Sequence, residues 1–425
     1  MTHDEGWHRL HPLSPAVGTS RIVLALVVVF APAFASGDDG GFYSSLSHLL
    51  VPVVLVGLAV VSWLVTRWRI EGSNLRIETG LLRRSSQRFP LSQVQAIDTV
   101  RPGLARLFGL SELRLRMGGT GGAARLAYLP TKQAEELRAR LLALSRGADE
   151  DTPEPQEDVL VTVPVARVVG SLAFSAPALV LLAYAVAFAV GGVLGPDATR
   201  AVTGSAAAIL IADAVALWRR FNRAYGATVA AAPEGLRIRS GLVETTAETI
   251  PTGRVQAVQL VEPFLWRPFG WCRVDVDVAG RVHDAGEEHR HERQLRPALP
   301  VGTRAEAQLV LAQLVPGAPE PARRPPRRAR WKSPLRYRRL SFGFDHRYAV
   351  ATTGRLSRIE SWVPLTKVQS LRRIEGPVQR RLRLATMHLD TAGKRVGAAF
   401  RDLDGEESIR ELDRLTELAR AARRA

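Results

Sequence analysis

One cysteine, Cys272, occurs in 425 residues. An intramolecular disulfide framework is therefore excluded, and so is a cysteine-based zinc site. Lysine is nearly absent. Lys132, Lys332, Lys367 and Lys394 are all of it, so 54 of the 58 basic residues are arginines. With so much alanine, that bias marks a GC-rich bacterial coding sequence before it marks any chemistry. Enzyme signatures are lacking too: there is no GxSxG elbow, P-loop, Rossmann fingerprint or HExxH. The paired carboxylates Glu287 and Glu288 sit in a polar stretch. In that stretch His283, His289 and His291 lie near Asp284, but no apolar scaffold supports them, and Arg290 and Arg293 compete for the carboxylates. It reads as a solvated loop and not a metal site. The expectation is a protein with no catalytic residue, no cofactor and no metal.

What is present is segregated. Apolar residues make up 46%, charged residues 23%, and the net charge is +17. Four long apolar runs alternate with polar blocks. They cover about residues 17–35, 46–65, 168–194 and 201–218. A helix of about 20 apolar residues crosses a bilayer core. The first run is short and is interrupted by Arg21. A rival reading makes it a signal peptide, with Arg9 and Arg21 ahead of it and Ala33-Phe34-Ala35 as the cleavage site. Pro32, Pro52 and Pro177 are tolerable in membrane helices. Arg67 and Arg69 follow the second run, Arg167 precedes the third, and Arg219, Arg220 and Arg223 follow the fourth. The link between the first two runs has Asp38 and Asp39 and no basic residue. The positive-inside rule places the polar blocks in the cytoplasm. The sequence thus predicts two membrane hairpins carrying cytoplasmic domains.

The polar blocks repeat one another. FPLSQVQAI (Phe89–Ile97), IPTGRVQAV (Ile250–Val258) and VPLTKVQSL (Val363–Leu371) share a proline, three residues, then Val-Gln. The pattern pairs Pro90 with Gln95, Pro251 with Gln256 and Pro364 with Gln369. Downstream, Pro102 is followed by Arg106, Pro263 by Arg267 and Pro377 by Arg381. These twelve residues read as structural: prolines suit strand starts, and a glutamine amide near a bend satisfies backbone groups. Strand-like segments follow from Leu113, from Val274 and around His388, and then helices at 132–144, 304–314 and 405–422. Thr303 with Glu306 reads as a capping box, and Asp404 with Glu407 imitates it. Ile409, Leu412, Leu415 and Leu418 recur at helical spacing.

These repeats resemble the bacterial pleckstrin-homology-like family. More closely, the chain is similar to long multi-domain members with tandem copies, the YdbT-like proteins. The match covers about 68–144, 225–314 and 347–422, and Gly376–Thr386 is its sharpest segment. The resemblance implies an α+β architecture beside α-helical membrane hairpins. Three tandem PH-like β-sandwich or barrel domains would each be capped by a C-terminal helix. The expected layout is a hairpin over 1–66, domain one over 67–146, a polar linker over 147–166, a second hairpin over 167–220, and domain two over 221–315. A Pro/Arg-rich linker over 316–340 and domain three over 341–425 complete it. The turns Glu71-Gly72-Ser73-Asn74, Ala232-Pro233-Glu234-Gly235 and Thr352-Thr353-Gly354-Arg355 are read as equivalent. Only the third carries a basic residue, so lipid-headgroup recognition at the first two is not expected.

Charge is the strongest functional cue. From Pro316 to Ala425 there are 26 Lys and Arg against 12 Asp and Glu, a net +14. Arg323, Arg324, Arg327, Arg328, Arg330, Lys332, Arg336, Arg338 and Arg339 form the densest cluster, and Trp331 and Tyr337 interleave with them. Basic side chains near an anionic leaflet contribute about 1 kcal/mol each. The segment reads as an extended linker that pins the third block to the bilayer in place of a missing hairpin. Nucleic acid is excluded as the polyanion for a chain tethered at a membrane. The favoured function is a non-enzymatic scaffold at the bacterial inner membrane. The resemblance adds a partner, a smaller membrane protein with one PH-like domain, and a part in envelope stress or defence. One alternative is an anionic-lipid surface sensor acting through the basic C-terminal quarter. Another is a transporter or export component, for which Asp213 in the fourth run is the candidate residue.

Overall fold

The computed structural model describes residues 6–15, 54, 57, 60–72, 74–80, 84–117, 123–145, 157–278, 296–393 and 396–424. They fall into two compact units. The first takes in 1–155 and the strand segment Val243–Glu248, the second 156–242 and 249–425.

In the first unit, β1 (His8–Arg9), β2 (Arg67–Glu71), β3 (Asn74–Thr79) and β4 (Ser85–Pro90) form an antiparallel sheet in that order. Pro90 then opens a single 3₁₀ turn, Leu91–Gln93. Beyond it run β5 (Val94–Arg101), β6 (Leu110–Met117) and β7 (Ala123–Pro130). Helix α1 (Thr131–Ser145) lays Ala134, Leu137 and Leu141 on a core of Leu75, Ile97, Leu113, Leu115 and Leu126. Each fully buried leucine of this kind contributes about 1.5–3 kcal/mol.

The plan is repeated twice more, in the second unit except for the start of β11, which belongs to the first. β8 (Asp158–Thr162) precedes three helices, α2 (Val165–Ala173), α3 (Ala176–Leu194) and α4 (Pro196–Ala224). The chain then returns as β9 (Thr228–Ala232), pairing Val161 with Val229. β10 (Gly235–Ser240), β11 (Thr245–Pro251), β12 (Val255–Glu262), β13 (Trp271–Val278), β14 (Arg296–Thr303) and helix α5 (Arg304–Leu314) complete the copy. The predicted capping box is present, with the Glu306 amide donating to Thr303 Oγ1 and the Thr303 amide to Glu306 Oε2. Copy three has β15 (Ser341–Phe344), β16 (Tyr348–Thr353), β17 (Arg358–Pro364), β18 (Val368–Ile374), β19 (Leu384–Thr391), β20 (Ala398–Asp404) and α6 (Gly405–Arg424). The Asp404 carboxylate accepts from the Glu406 and Glu407 amides, one half of the imitated box, while the Glu407 carboxylate binds Arg323. Leu415 is fully buried, with Leu412 and Leu418 packed beside it. Ile409 departs from the expected face and is 50% exposed.

Three boundaries differ from the sequence reading. β8 lies inside the expected polar linker 147–166, and its pairing with β9 makes it part of domain two. The expected span 168–194 is broken at Phe174-Ser175, because Pro177 starts a new helix. Val168 therefore belongs to α2 and is buried in the copy-two core. The segment 316–340 is not an extended linker. Arg323 makes a backbone bridge to Phe342, and the segment then folds through two helical turns, Ala329–Lys332 and Tyr337–Arg339.

Of the four predicted spans, the first and most of the second lie outside the described residues. Among the described residues one helix, over Ala176–Val193, is long and apolar enough to cross a membrane. Leu182, Val186, Phe188 and Val193 on it are each more than half exposed. In α4 the side chains of 196–208 lie outside the described set, so the fourth span stands on sequence alone. The histidine stretch 283–291 also lies outside it.

Candidate functional site: a membrane face and its arginine-rich counterpart

The register of the first sheet aligns the three copies residue by residue. His8 pairs with Trp68, Val161 with Val229, and Arg323 with Phe342. The next pairings are Trp68 with Ile77, Val229 with Ile238 and Phe342 with Ala351. These positions are equivalent. What lies between the first and second strand is therefore one insertion site used three times. In copy two it holds α2, α3 and α4. In copy three it holds the segment Arg324–Leu340. The same alignment corrects the turn assignment. The copy-three equivalent of the Glu71–Asn74 and Ala232–Gly235 turns is Asp345–Arg347, between β15 and β16, and not Thr352–Arg355. The short, glycine-containing SFGF strand concealed the shift. This turn carries His346 and Arg347, and its Asp345 carboxylate accepts from the amides of Arg347 and Tyr348 at 2.7 Å.

Wherever the repeat signature is described, it falls on turns and bulges. Pro90, Pro251 and Pro364 each cap the 3₁₀ turn with φ near −62°, −65° and −64°. Gln95, Gln256 and Gln369 each fall at a register shift, a β-bulge repeated in all copies. Gln256 is buried and donates to the Arg254 carbonyl, whereas Gln369 is exposed. Pro102, Pro263 and Pro377 open short helical turns, Gly103–Leu107, Phe264–Phe269 and Pro377–Arg381. These hold Arg106, Arg267 and Arg381. Arg267 donates to the Leu356 carbonyl at 2.9 Å, and burial followed by the nearby Arg339 lowers its pKa.

Those turns expose apolar side chains that the sequence reading did not single out. Leu104, Leu107 and Phe108 are exposed in copy one, Phe264, Leu265 and Phe269 in copy two, and Val378 in copy three. In copy two the turn lies against the entry to α3. The Phe174 and Phe269 rings are 5.2 Å apart, Phe269 stacks on Trp271 at 4.8 Å, and Trp266 Nε1 donates to the Ser171 carbonyl. Aromatic rings at the root of an apolar span suit the headgroup layer. At the far end of α4, Trp218, Phe221 and Tyr225 continue the aromatic set.

The eleven candidates in Arg323–Arg339 divide in two. Some are held by copy three. Arg323 binds Glu407 and, at 2.6 Å, Glu411; burial opposes its charge, but these carboxylates raise its pKa. Arg328 pairs with Asp404. Lys332 Nζ and Ser333 Oγ donate to Asp402 at 2.5 and 2.8 Å. Gln379 donates to the other side of the same network, at 2.8 Å to Asp402 Oδ1 and to Thr386 Oγ1. Arg339 donates to the Leu356 carbonyl. Arg336 has its pKa lowered by burial and by neighbouring Arg355 and Arg401. Tyr337 is half-buried. The others face outward: Arg324, Arg327, Arg330 and Arg338 are exposed, Trp331 is 84% exposed, and Leu335 beside them is 75% exposed. Asp402, 1% exposed, and Gln379 escaped sequence reasoning, although Gln379 lies in the sharpest repeat match.

Fold and site together define a membrane protein built from tandem PH-like domains, at least one of which has an apolar span inserted into its first sheet. The chain belongs to the bacterial PH domain family, whose model matches residues 20–145, 172–314 and 300–414. It is also similar to the transmembrane protein YdbT of Bacillus subtilis (strain 168), with 21% identity over 359 residues, covering 76% of this chain and 72% of that one.

Proposed function

We propose that this protein is a non-enzymatic scaffold anchored in the bacterial inner membrane. Its PH-like domains lie on the cytoplasmic side of a multi-pass chain and are offered to a protein partner. The observation that carries this reading is the placement of α3. An exposed apolar helix leaves from the first sheet of copy two and returns to it through α4, which anchors a binding-type domain at the bilayer without a linker. The arginines around the runs support the cytoplasmic orientation. A smaller membrane protein with a single PH-like domain is the partner expected, in envelope stress or defence. The test is chemical cross-linking in native membranes, then purification in mild detergent and mass spectrometry. A stoichiometric membrane protein supports the scaffold; recovery of the chain with lipid alone counts against it.

A second reading is favoured by Trp331 and Leu335. They stand exposed among Arg324, Arg327, Arg330 and Arg338, at the site where copy two inserts its membrane helices. The segment then acts as a surface anchor on anionic lipid, held by a charge term that salt screens. The full chain in liposomes tests it. Trypsin should cut within 324–339 more slowly on phosphatidylglycerol than on phosphatidylcholine, and high salt should remove the difference. Equal cleavage on both lipids would sink it.

A further inference from the structure

One edge-to-edge junction recurs, once within each unit. In the second unit β12 is flanked by β13 on one side and by β17 of copy three on the other. Leu260 faces Glu360, Val261 faces Ile359 and Glu262 faces Arg358. In the first unit β5 is covered in the same register, with Thr99 opposite Ala247, Val100 opposite Thr246 and Arg101 opposite Thr245. Counted from the shared Val-Gln, Thr99 and Leu260 hold one position, Val100 and Val261 the next, and Arg101 and Glu262 the third. The covering strand is also the same element each time, the one that ends at the repeat proline, Pro251 or Pro364.

Copy three presents this edge again. β18 is the outer strand of the sheet β18-β19-β20, and among the described residues no strand covers it. Burial reflects the difference. Val100 is 4% exposed and Val261 6%, but Ile374 at the same position is 44% exposed. Gln369, Ser370 and Arg372 are exposed as well. An uncovered edge with outward apolar residues is a template for an added strand.

Resting on the scaffold reading, we propose that the β18 edge binds an antiparallel strand from a PH-like domain of another polypeptide. That strand is the one ending at its repeat proline, with a carboxylate at the Glu360 position. Register decides the chemistry. The residue at that position falls opposite Arg373, which also holds Glu375, Ser408 and the Gly405 carbonyl. Its neighbour falls opposite Arg372, whose side chain pairs with Asp390 yet is 59% exposed. A second copy of this chain is the poorer match. Its β4, the strand of this type at the edge of the first unit, sets Ser86 opposite Arg373 and places Arg88 diagonal to Arg373 on the same face. Its Arg84 would meet Glu375 as Arg358 meets Glu262, so the two candidates differ only at the Glu360 position and at Arg88. Like charges across a strand pair are unfavourable.

The probe is a peptide of the chain's own β17, Arg358–Pro364, carrying a photo-cross-linker at Ser361. It is titrated against the full-length protein in nonionic detergent beside a scrambled peptide. The expected result is cross-linking within 368–375, binding about threefold to fivefold weaker to the Arg373→Glu variant, and recovery when the peptide carries Glu360→Arg. Adducts elsewhere, equal binding of the scrambled peptide, or indifference to Arg373→Glu would overturn the proposal. Light scattering on the peptide-free protein decides the occupant. Self-association lost in Arg373→Glu would reassign the edge to a second copy and overturn the separate-chain assignment; its absence supports that assignment. Failure to recover a partner from native membranes would sink the scaffold reading and leave the peptide result standing.

Discussion

Copies two and three share one sheet, yet they resolve the same insertion site differently. Copy two fills it with an apolar helix whose root, Phe174, packs on Phe269, which stacks on Trp271. Copy three fills it with an arginine-rich segment clamped by Asp402 and Asp404, next to Arg323, which Glu407 and Glu411 hold. A PH-like sheet tolerates either because the insertion leaves between two antiparallel strands whose pairing is untouched: Val161–Val229 and Arg323–Phe342 are one contact. The lesson is that the sheet specifies the fold and the insertion specifies how the domain meets its surroundings. The junction between the copies is polar as well as paired. Asp277 of β13 is buried and its carboxylate accepts from the Val396 amide across the copy boundary. Asp275, two residues earlier, has its pKa raised by burial against the opposing influence of Arg273.

The largest expected way to break this comparison is Phe400→Ala. Phe400 is fully buried and its ring lies 5.0 Å from that of Phe342. The loss should cost about 3–5 kcal/mol. Because β12 and β17 belong to one sheet, denaturation of the full chain should show copies two and three shifting together. Separate transitions would show that the shared sheet is energetically weak.

Next is Asp402→Ala, which strands Lys332, Ser333 and Gln379. Removing one side of a buried pair costs about 3 kcal/mol or more. The specific sign is release of the copy-three insertion: trypsin should cut between Arg324 and Arg339 in the variant before it cuts elsewhere, while α3 and its aromatic root stay protected. Trp331→Ser with Leu335→Ser sharpens the comparison from the other side. Both residues are exposed, so stability should change by no more than about 0.5 kcal/mol. Protection of the segment on phosphatidylglycerol liposomes should nevertheless disappear.

The smallest effect concerns Cys272 in β13. Burial, followed by nearby Glu262, pushes its thiol up to about 12. A raised acid pKa favours the neutral thiol, so iodoacetamide at pH 8 should label the native chain far more slowly than the denatured one. Linkage runs in the same direction. The contribution is complete below the ordinary thiol value and is lost as pH rises from about 8.5 towards the folded value. Native labelling as fast as denatured labelling would place Cys272 outside a closed sheet.

Much of the fold was legible because its signals are local. The Pro-Val-Gln spacing marks a 3₁₀ turn followed by a bulge, and both are dictated by a few neighbouring residues. The Thr303–Glu306 box and the helix after β14 were readable for the same reason. β8 and β15 were not. β8 is short and pairs with a strand beyond three helices, so no nearby residue announces it. In the strand-like segment from Val274 aspartates alternate with valines, yet Asp275 and Asp277 are both buried. A period of two says that faces alternate, not that one of them meets water. The arginine-rich segment misled through composition. Proline and arginine describe a solvated chain until four carboxylates of one domain converge on it.

The sequence by itself determined the threefold repeat, the helix caps, the apolar runs and the surplus of arginine, because each depends on residue type and short spacing. Only the tertiary structure decided which strands are equivalent across the copies, which arginines are held and which face outward, and that no strand among the described residues covers β18 of copy three. Those properties arise from pairings between residues tens of positions apart, and no local pattern encodes them.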